Sequence, residues 1–146
     1  MKTKFTELFG IKYPIVQAGM NFAAFPPLVA AVCNAGGLGI LGALSMRPEE
    51  LRENIQQVRS LTDKPFGVNF LPYHPEVDKM IDVMIEEKVA VASYGRGNPT
   101  HIIKRTKDAG MLNLPTMGAV KHAQKAEQDG ADAVIIQGTE AGGHCS

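Results

Sequence analysis

The segment from Gln137 to His144 is where residue types and spacing most clearly point to chemistry. It reads Gln-Gly-Thr-Glu-Ala-Gly-Gly-His and follows a strongly apolar run. Glycines let a backbone come close to a ligand, and an imidazole titrates near neutral pH, where a general base is most useful. We therefore place His144 first among the catalytic candidates. Glu140 ranks lower, because a carboxylate at this spacing is more often solvated than paired.

The remaining reactive side chains have simpler interpretations. Cys145 adjoins His144, but neighbouring side chains in an extended segment diverge, so a paired thiolate nucleophile is not favoured. Cys33 and Cys145 fit neither a disulfide framework nor a metal-ligand spacing, which predicts free thiols and no metal site. Three further histidines are expected on the surface: His74, His101 and His122.

Two earlier apolar runs contain, or are followed by, residues that could contact a ligand. Asn69 lies inside the run Phe66-Gly-Val-Asn-Phe70, and a buried amide there needs hydrogen-bond partners. A ligand heterocycle or the backbone of a neighbouring strand would satisfy it equally well. Ala18, Gly19 and Met20 follow the first apolar run, and a methionine there is more typical of a core than of a cofactor contact.

Alternating apolar runs and helical patterns supply the elements that position these residues. Six runs begin near Pro14, Leu38, Pro65, Val89, Leu114 and Ala131. They are nearly continuous in apolar character, as strands of a sheet covered on both faces are. Helical spacing follows Pro48 and Pro75, where helices are predicted to start, and Gly110 and Gly130 suit helix ends. Strand and helix alternation predicts parallel strands joined by crossovers.

The glycine pattern favours a closed barrel over an open doubly wound sheet. The first run ends Gln17-Ala-Gly-Met20, without the Gly-x-Gly-x-x-Gly of dinucleotide folds or the phosphate-cradling loop of a flavodoxin-type module. The glycines of 34–39 precede a strand and indicate a helix stop. An eight-stranded TIM (β/α)₈ barrel typically needs about 250 residues. We therefore expect an incomplete barrel of about six βα units, with residues 1–146 as the N-terminal part of a single domain.

Composition and charge exclude several classes of protein. The chain is 45% hydrophobic and carries 15 basic and 15 acidic residues, scattered without a basic stripe. Nucleic acid is therefore not an expected partner. No apolar window approaches the roughly 18 residues of a membrane span, and the N-terminus lacks a signal-like apolar region. These features predict a cytoplasmic protein, and they are compatible with a homo-oligomer.

Five segments together resemble the nitronate monooxygenase (2-nitropropane dioxygenase) family. They are Tyr13-Pro-Ile-Val-Gln-Ala-Gly-Met20, Asn34-Ala-Gly-Gly-Leu-Gly39, Asp63-Lys-Pro-Phe-Gly-Val-Asn69, Gly97-Asn-Pro99 and Gln137 to His144. The similarity covers essentially the whole chain, and the last segment is its most specific motif.

This resemblance implies a flavoprotein monooxygenase with FMN bound without a covalent link. Ala18, Gly19 and Met20 would approach the flavin through backbone, while Asn69, Gln137 and Gly142, with the adjoining Gly143, would contact its ring system or ribityl chain. His144 matches the family's active-site histidine. The implied reaction oxidises an alkyl nitronate or nitroalkane with O₂ to a carbonyl compound and nitrite.

Flavin-dependent enoyl-acyl-carrier-protein reductases are similar over the same region and form the main alternative. Their final motif carries Glu and Ser where this chain has Gln137 and Ala141, which favours the monooxygenase. NAD(P)H:quinone reductases on this scaffold are a further alternative. A truncated, non-catalytic fragment is the third, because the family continues into two more strand–helix units that hold the FMN phosphate.

Overall fold

The computed structural model describes residues 1–95 and 100–143, and its six strands form one parallel sheet in the order β1-β2-β3-β4-β5-β6. The strands are β1 Val16–Gln17, β2 Leu38–Gly42, β3 Gly67–Phe70, β4 Val91–Gly95, β5 Leu112–Met117 and β6 Ile135–Ile136. The helices are α1 Lys4–Phe9, α2 Pro26–Ala35, α3 Pro48–Leu61, α4 Val77–Glu86, α5 Thr100–Asp108 and α6 Val120–Asp129. Six parallel strands with helices between them confirm the expected incomplete TIM barrel.

Most predicted helix boundaries are confirmed, and one is wrong. Helix α3 begins at Pro48, and α2 is capped by Gly36, a left-handed residue with φ of 99° within the predicted helix stop. Gly110 and Gly130 follow α5 and α6 with φ of 81° and 100°. Helix α4, however, begins two residues after Pro75, because a turn intervenes in which the Val77 N–H donates to the His74 carbonyl.

Two apolar layers hold the sheet, one on each face. The outer layer lies between sheet and helices, and its largest fully buried members are Phe70, Leu41, Leu51, Ile55, Met80, Ile81, Met84, Tyr94, Ile102 and Ile103. The inner layer contains Leu38, Ile40, Val91 and Leu114. Burial of this apolar surface is the main stabilising term for the fold.

Helix α1 closes the inner layer at the amino ends of the strands. Phe9 is 3% exposed and packs with Leu38 and Leu114, and the Phe5 and Phe9 rings lie 4.6 Å apart. A capping box in which Thr3 and Thr6 exchange hydrogen bonds begins the helix. This helix was not predicted from the sequence, because six residues are too few to show a helical period. Its position leaves the opposite end of the sheet for a ligand.

A buried polar cluster lies in the outer layer between β4, β5 and α5. The Oδ1 atom of Asn113, a residue with 0% exposure, accepts hydrogen bonds from the Tyr94 hydroxyl at 2.9 Å and the Thr106 hydroxyl at 2.8 Å. The Asn113 backbone N–H donates to Asp132 at 2.8 Å. Burial raises the pKa of the Tyr94 hydroxyl, and the negative charges of Asp132 and Asp129 raise it further. The cluster therefore joins two strands and a helix through groups that are hydrogen-bonded to one another.

Candidate functional site

The inner face of the sheet changes from apolar to polar toward the carboxyl ends of the strands. Side chains alternate along a strand, and Val68 and Phe70 belong to the outer layer, so Asn69 faces the interior. Ser93 is its register partner on β4 and is 2% exposed. The Asn69 amide nitrogen donates to the Ser93 hydroxyl at 3.3 Å. By the same alternation Thr116 follows Leu114 on the inner face of β5.

Asn69 was predicted from the sequence, whereas Ser93 and Thr116 were not. Each is the first polar side chain after inward-facing apolar residues, Val91 on β4 and Leu114 on β5. A period of two along each predicted strand carries that signal. Using it requires knowing which face of each strand points inward, and this depends on the register of the sheet.

Gly19 lies directly against Asn69. A Cβ atom at position 19 would fall 2.2 Å from the Asn69 Cβ, far closer than van der Waals contact allows, so only glycine fits this approach. Among the described residues, the backbone N–H groups of Ala18, Gly19 and Met20 donate to no protein acceptor. The structure thus brings Ala18 to Met20, the segment predicted to contact a ligand through its backbone, next to Asn69, the predicted amide ligand.

The loop after β1 is held in place by backbone contacts with its own continuation and with β2. The Met20 carbonyl accepts hydrogen bonds from Ala23 at 3.2 Å and Ala24 at 2.8 Å. A Cβ at Gly42 would lie 2.6 Å from that carbonyl oxygen, and the Gly42 N–H donates to Ala24 at 3.0 Å. The Met20 residue is 43% exposed, so the expectation of a core methionine is wrong. The chain turns here before its side chain can reach either apolar layer.

Gln17, the last residue of β1, carries a second polar group that sequence reasoning missed. Its amide nitrogen donates to the Ile40 carbonyl at 3.1 Å and also contacts the Ala18 carbonyl. Its Oε1 atom is buried and has no hydrogen-bond partner within the described part of the chain. A buried carbonyl oxygen without a donor is costly, so a donor from a bound group or water would stabilise this end of the sheet. The signal was a polar residue within the apolar run before Gly19.

The segment after β6 is only partly joined to this cluster. The Gln137 N–H donates to the Met117 carbonyl at 3.1 Å, and the residue is partly buried. Gly142 and Gly143 are exposed, and a Cβ on either would meet no atom within 4 Å. The structure therefore does not bring these two glycines against Asn69. His144 and Cys145 lie outside the described residues.

The other predicted surface residues follow the expectation with one difference. His101 and His122 are exposed on α5 and α6. His74 is partly buried, and its Nδ1 atom accepts a hydrogen bond from the Glu76 N–H at 3.1 Å. Cys33 is a free, buried thiol whose sulfur accepts a hydrogen bond from the Gly39 N–H at 3.3 Å, and burial raises the pKa of that thiol.

The described strand ends present uncharged groups: the amides of Gln17, Asn69 and Gln137, the hydroxyls of Ser93 and Thr116, and backbone N–H groups. No His, Cys, Asp or Glu cluster suited to a metal ion occurs among residues 1–95 and 100–143. None of the helices in that part of the chain has the length and apolar character that a bilayer crossing requires.

Neutral amides at the carboxyl ends of parallel strands suit a flat heterocycle rich in donors and acceptors. Fold and site together define a class, that of TIM-barrel domains with a neutral polar site at the carboxyl ends of their strands.

Comparison with known proteins identifies the family within that class. The sequence model of the family named nitronate monooxygenase matches residues 2–80 and 72–146. This chain belongs to the nitronate monooxygenase family. A probable nitronate monooxygenase of Staphylococcus aureus (strain MSSA476) is 35% identical over 179 aligned positions, which include 98% of this chain and 50% of the relative.

Two further proteins are more similar in sequence. The (3aS,4S,5R,7aS)-5-hydroxy-7a-methyl-1-oxo-octahydro-1H-indene-4-carboxyl-CoA dehydrogenase of Rhodococcus jostii is 46% identical over 144 residues, which are 99% of this chain and 41% of that protein. The solved structure of FabK from Thermotoga maritima matches with a TM-score of 0.97 and 45% identity, over 100% of this chain and 47% of that one. The chain spans about half the length of the relatives it matches.

Proposed function

We propose that this chain contributes the FMN-binding part of a flavin-dependent oxidoreductase, with residues 1–146 as the N-terminal part of a single TIM-barrel domain. The observation that carries the proposal is the close approach of Gly19 to Asn69, beside backbone N–H groups that donate to no acceptor in the described part of the chain. A flavin, when bound, supplies reversible electron transfer to and from the substrate. The protein's own groups supply its binding and orientation.

Each predicted ligand has a definable task toward the flavin. Ala18, Gly19 and Met20 offer backbone donors to the ring carbonyls. The Asn69 amide, oriented by its hydrogen bond to Ser93, offers both a donor and an acceptor. Gln137, Gly142 and Gly143 would contact the ring system or the ribityl chain from the loop after β6. Uncharged donors of this kind orient a neutral heterocycle without the desolvation cost of a buried charge.

Oxidation of alkyl nitronates by O₂ to a carbonyl compound and nitrite is the first substrate proposal. Membership of the nitronate monooxygenase family and the His144 motif support it. The imidazole of His144 would take the α-proton of a neutral nitroalkane, whereas a nitronate has already lost that proton. Replacement of His144 by Ala is then expected to lower turnover of neutral nitroethane by roughly 10²–10⁴, with a much smaller effect on ethyl nitronate.

Oxidoreduction of an acyl thioester is the second candidate, and a specific observation favours it. The alignment with the Staphylococcus relative runs over 179 positions, more than the 146 residues of this chain, so that relative has residues that this chain lacks. The two family matches overlap at residues 72–80. We infer that the additional residues follow β3, on the site side of the sheet.

The alignment with the carboxyl-CoA dehydrogenase needs no such insertion and is 46% identical. In this chain the connection from β3 to α4 is short, running from Leu71 to Glu76. Sequence similarity therefore supports the thioester as a second candidate beside the nitronate, and the proposed cofactor site is the same for both.

Flavin binding tests the shared part of the proposal. The chain is mixed with FMN, passed through gel filtration, and examined for retained flavin absorbance, with a longer protein containing residues 1–146 treated in parallel. Replacement of Asn69 by Ala removes one hydrogen-bonding group and is expected to weaken FMN binding about 10-fold. Asn54 on α3, whose amide donates to the Glu50 carbonyl of its own helix, provides the matched control Asn54→Ala. Failure of both proteins to retain FMN would contradict the proposal.

The substrate is decided on the flavin-loaded protein. Oxygen consumption and nitrite release with ethyl nitronate would support the monooxygenase. Oxidation of NAD(P)H that depends on a 2-enoyl thioester would support the thioester candidate. Reaction with a quinone alone would instead support the quinone reductase alternative.

A further inference from the structure

Phe22 has an unusual backbone for an aromatic residue. Its φ is +61°, in the left-handed region that bulky side chains rarely adopt. The residue is also 79% exposed, so burial of its ring does not compensate the strain. Contacts among residues 1–95 and 100–143 provide no gain in stability that would explain a costly conformation with an apolar side chain in water.

The surrounding loop imposes this conformation. Hydrogen bonds from Ala23 and Ala24 to the Met20 carbonyl close a turn around Phe22. The Asn21 side chain accepts a further hydrogen bond from the Ser45 hydroxyl at 3.0 Å, which ties the turn to the segment after β2. Phe22 is therefore held outward by a turn fixed on both sides.

Two other apolar residues of the same short loop are also exposed. Met20 is 43% and Phe25 is 42% exposed. We call Met20, Phe22 and Phe25 the apolar loop residues. Met20 follows Gly19 directly, and Gly19 lies against Asn69. An apolar rim is thus continuous in sequence with the polar floor of the proposed site.

We infer that Phe22, with Met20 and Phe25, binds the apolar part of an organic substrate whose reacting group lies over Asn69, and so determines substrate size. This inference rests on the proposed function. Strained residues occur preferentially at ligand sites, where the fold holds a side chain ready for contact. The position of Phe22 fits this role, since the loop lies at the carboxyl ends of the strands.

A tryptophan at position 22 tests the contact without turnover. The chain contains no tryptophan, so Phe22→Trp adds a single fluorescent reporter to it while keeping a large aromatic ring. The variant is made in the longer protein, and any tryptophan outside residues 1–146 is replaced by Phe. The flavin-loaded variant is then titrated with octanoyl-CoA, acetyl-CoA and free CoA. We expect octanoyl-CoA to shift the emission to shorter wavelength and acetyl-CoA to have a much smaller effect. Equal effects of all three, or none, would overturn the inference.

Kinetics with a homologous series gives the second measurement. In Phe22→Ala, KM for 1-nitrooctane nitronate or for a 2-octenoyl thioester is expected to rise about 10-fold more than KM for the two- or four-carbon homologue. Each fully buried methylene is worth about 4-fold in affinity, and a ring contacts several. Leu61→Ala is the control, because Leu61 is 46% exposed at the end of α3, on the opposite side of the barrel.

The outcomes separate this inference from the proposed function. Loss of FMN binding in the unmodified protein would contradict the function itself. Retained FMN and turnover with no chain-length dependence in Phe22→Ala would overturn only the role of Phe22. A change in gel-filtration volume of Phe22→Ala, with no change in KM, would show that the apolar loop residues contact a second copy instead, and would also overturn it.

Discussion

Asn69 and Asn113 are both amides within apolar strands, yet their surroundings differ. Asn113 is fully buried, and its Oδ1 accepts from two hydroxyl groups. Asn69 is only partly buried, and its amide nitrogen donates to one hydroxyl, that of Ser93. Asn113 faces the helices, whereas Asn69 faces the barrel interior beneath Gly19. Similar residues on similar strands thus have a structural task in one case and hydrogen-bonding capacity for a ligand in the other.

The hydrogen-bond partners of the two amides indicate whether each residue serves stability or ligand binding. A buried amide whose partners are also buried is fixed by the fold, and removing it leaves those partners without a hydrogen bond. An amide at the carboxyl end of a strand, with free backbone donors beside it, retains capacity for a bound molecule. Substitutions at the two positions should therefore affect different measurements.

The largest effect is expected from replacing Asn113 by Leu. The change leaves the Tyr94 and Thr106 hydroxyl groups buried without their shared acceptor, which should lower the free energy of unfolding by about 3 kcal/mol. Urea denaturation followed by circular dichroism measures it. Asn69→Leu is the comparison variant and should lose clearly less stability, because Asn69 is partly exposed. Equal losses would contradict the distinction between the two amides.

The sequence predicted the strands better than it predicted this distinction. Six apolar runs between helical patterns were enough for the parallel order, because local periodicity encodes it. Asn69 was singled out and Asn113 was not, although both lie in apolar surroundings. Their roles depend on which residues the register brings opposite them, and Ser93 and Tyr94 are more than 18 positions away from the amides they contact.

Contacts between distant segments explain the other differences as well. Gly19 and Asn69 were both predicted as ligands, but their direct contact follows from packing of the loop after β1 on β3. Helix α1 was missed because its role, packing Phe9 against Leu38 and Leu114, is tertiary and not periodic. Local sequence therefore predicted the elements, and the geometry of the site required the assembled sheet.

The next largest effect is expected at Gly19. Gly19→Ala places a Cβ within 2.2 Å of the Asn69 Cβ, so the loop or the amide must move. We expect FMN binding to weaken 10- to 100-fold, about 1.4–2.7 kcal/mol, in flavin titrations. Gly138→Ala is the matched control in the loop after β6, where an added Cβ meets nothing within 4 Å. Similar losses in both variants would show that any change at the strand ends disturbs binding.

Tyr94 provides a pH test of the buried cluster. Burial holds the pKa of Tyr94 in the folded chain above its ordinary value of 10.0, so the unfolded chain loses this proton first as pH rises. Stability from this group is therefore fully present below about pH 10 and declines above it, by up to about 1.4 kcal/mol per pH unit.

Tyr94→Phe removes both the hydrogen bond and the titration. At pH 8 the variant should be less stable by about 1 kcal/mol. At pH 11 the difference from the unmodified chain should narrow, because only the unmodified chain loses stability through this tyrosine. Urea unfolding at the two pH values measures the change. A difference that stays constant with pH would mean that the Tyr94 hydroxyl is not shielded as the structure indicates.

The smallest effect on the free energy of unfolding is expected at Phe22. A substitution there should stabilise the chain, whereas substitutions of Asn69 and Asn113 should destabilise it. Glycine adopts a φ of +61° without steric cost, so Phe22→Gly should relieve strain of about 1–2 kcal/mol. The greater freedom of glycine in the unfolded chain offsets about 0.5–1 kcal/mol of this gain. We therefore expect a net stabilisation of about 0.5 kcal/mol in urea denaturation, together with weaker binding of long-chain substrates. A lower free energy of unfolding in Phe22→Gly would mean that the Phe22 ring packs against other residues of the folded chain. The same contacts of the ring would then serve both stability and substrate binding.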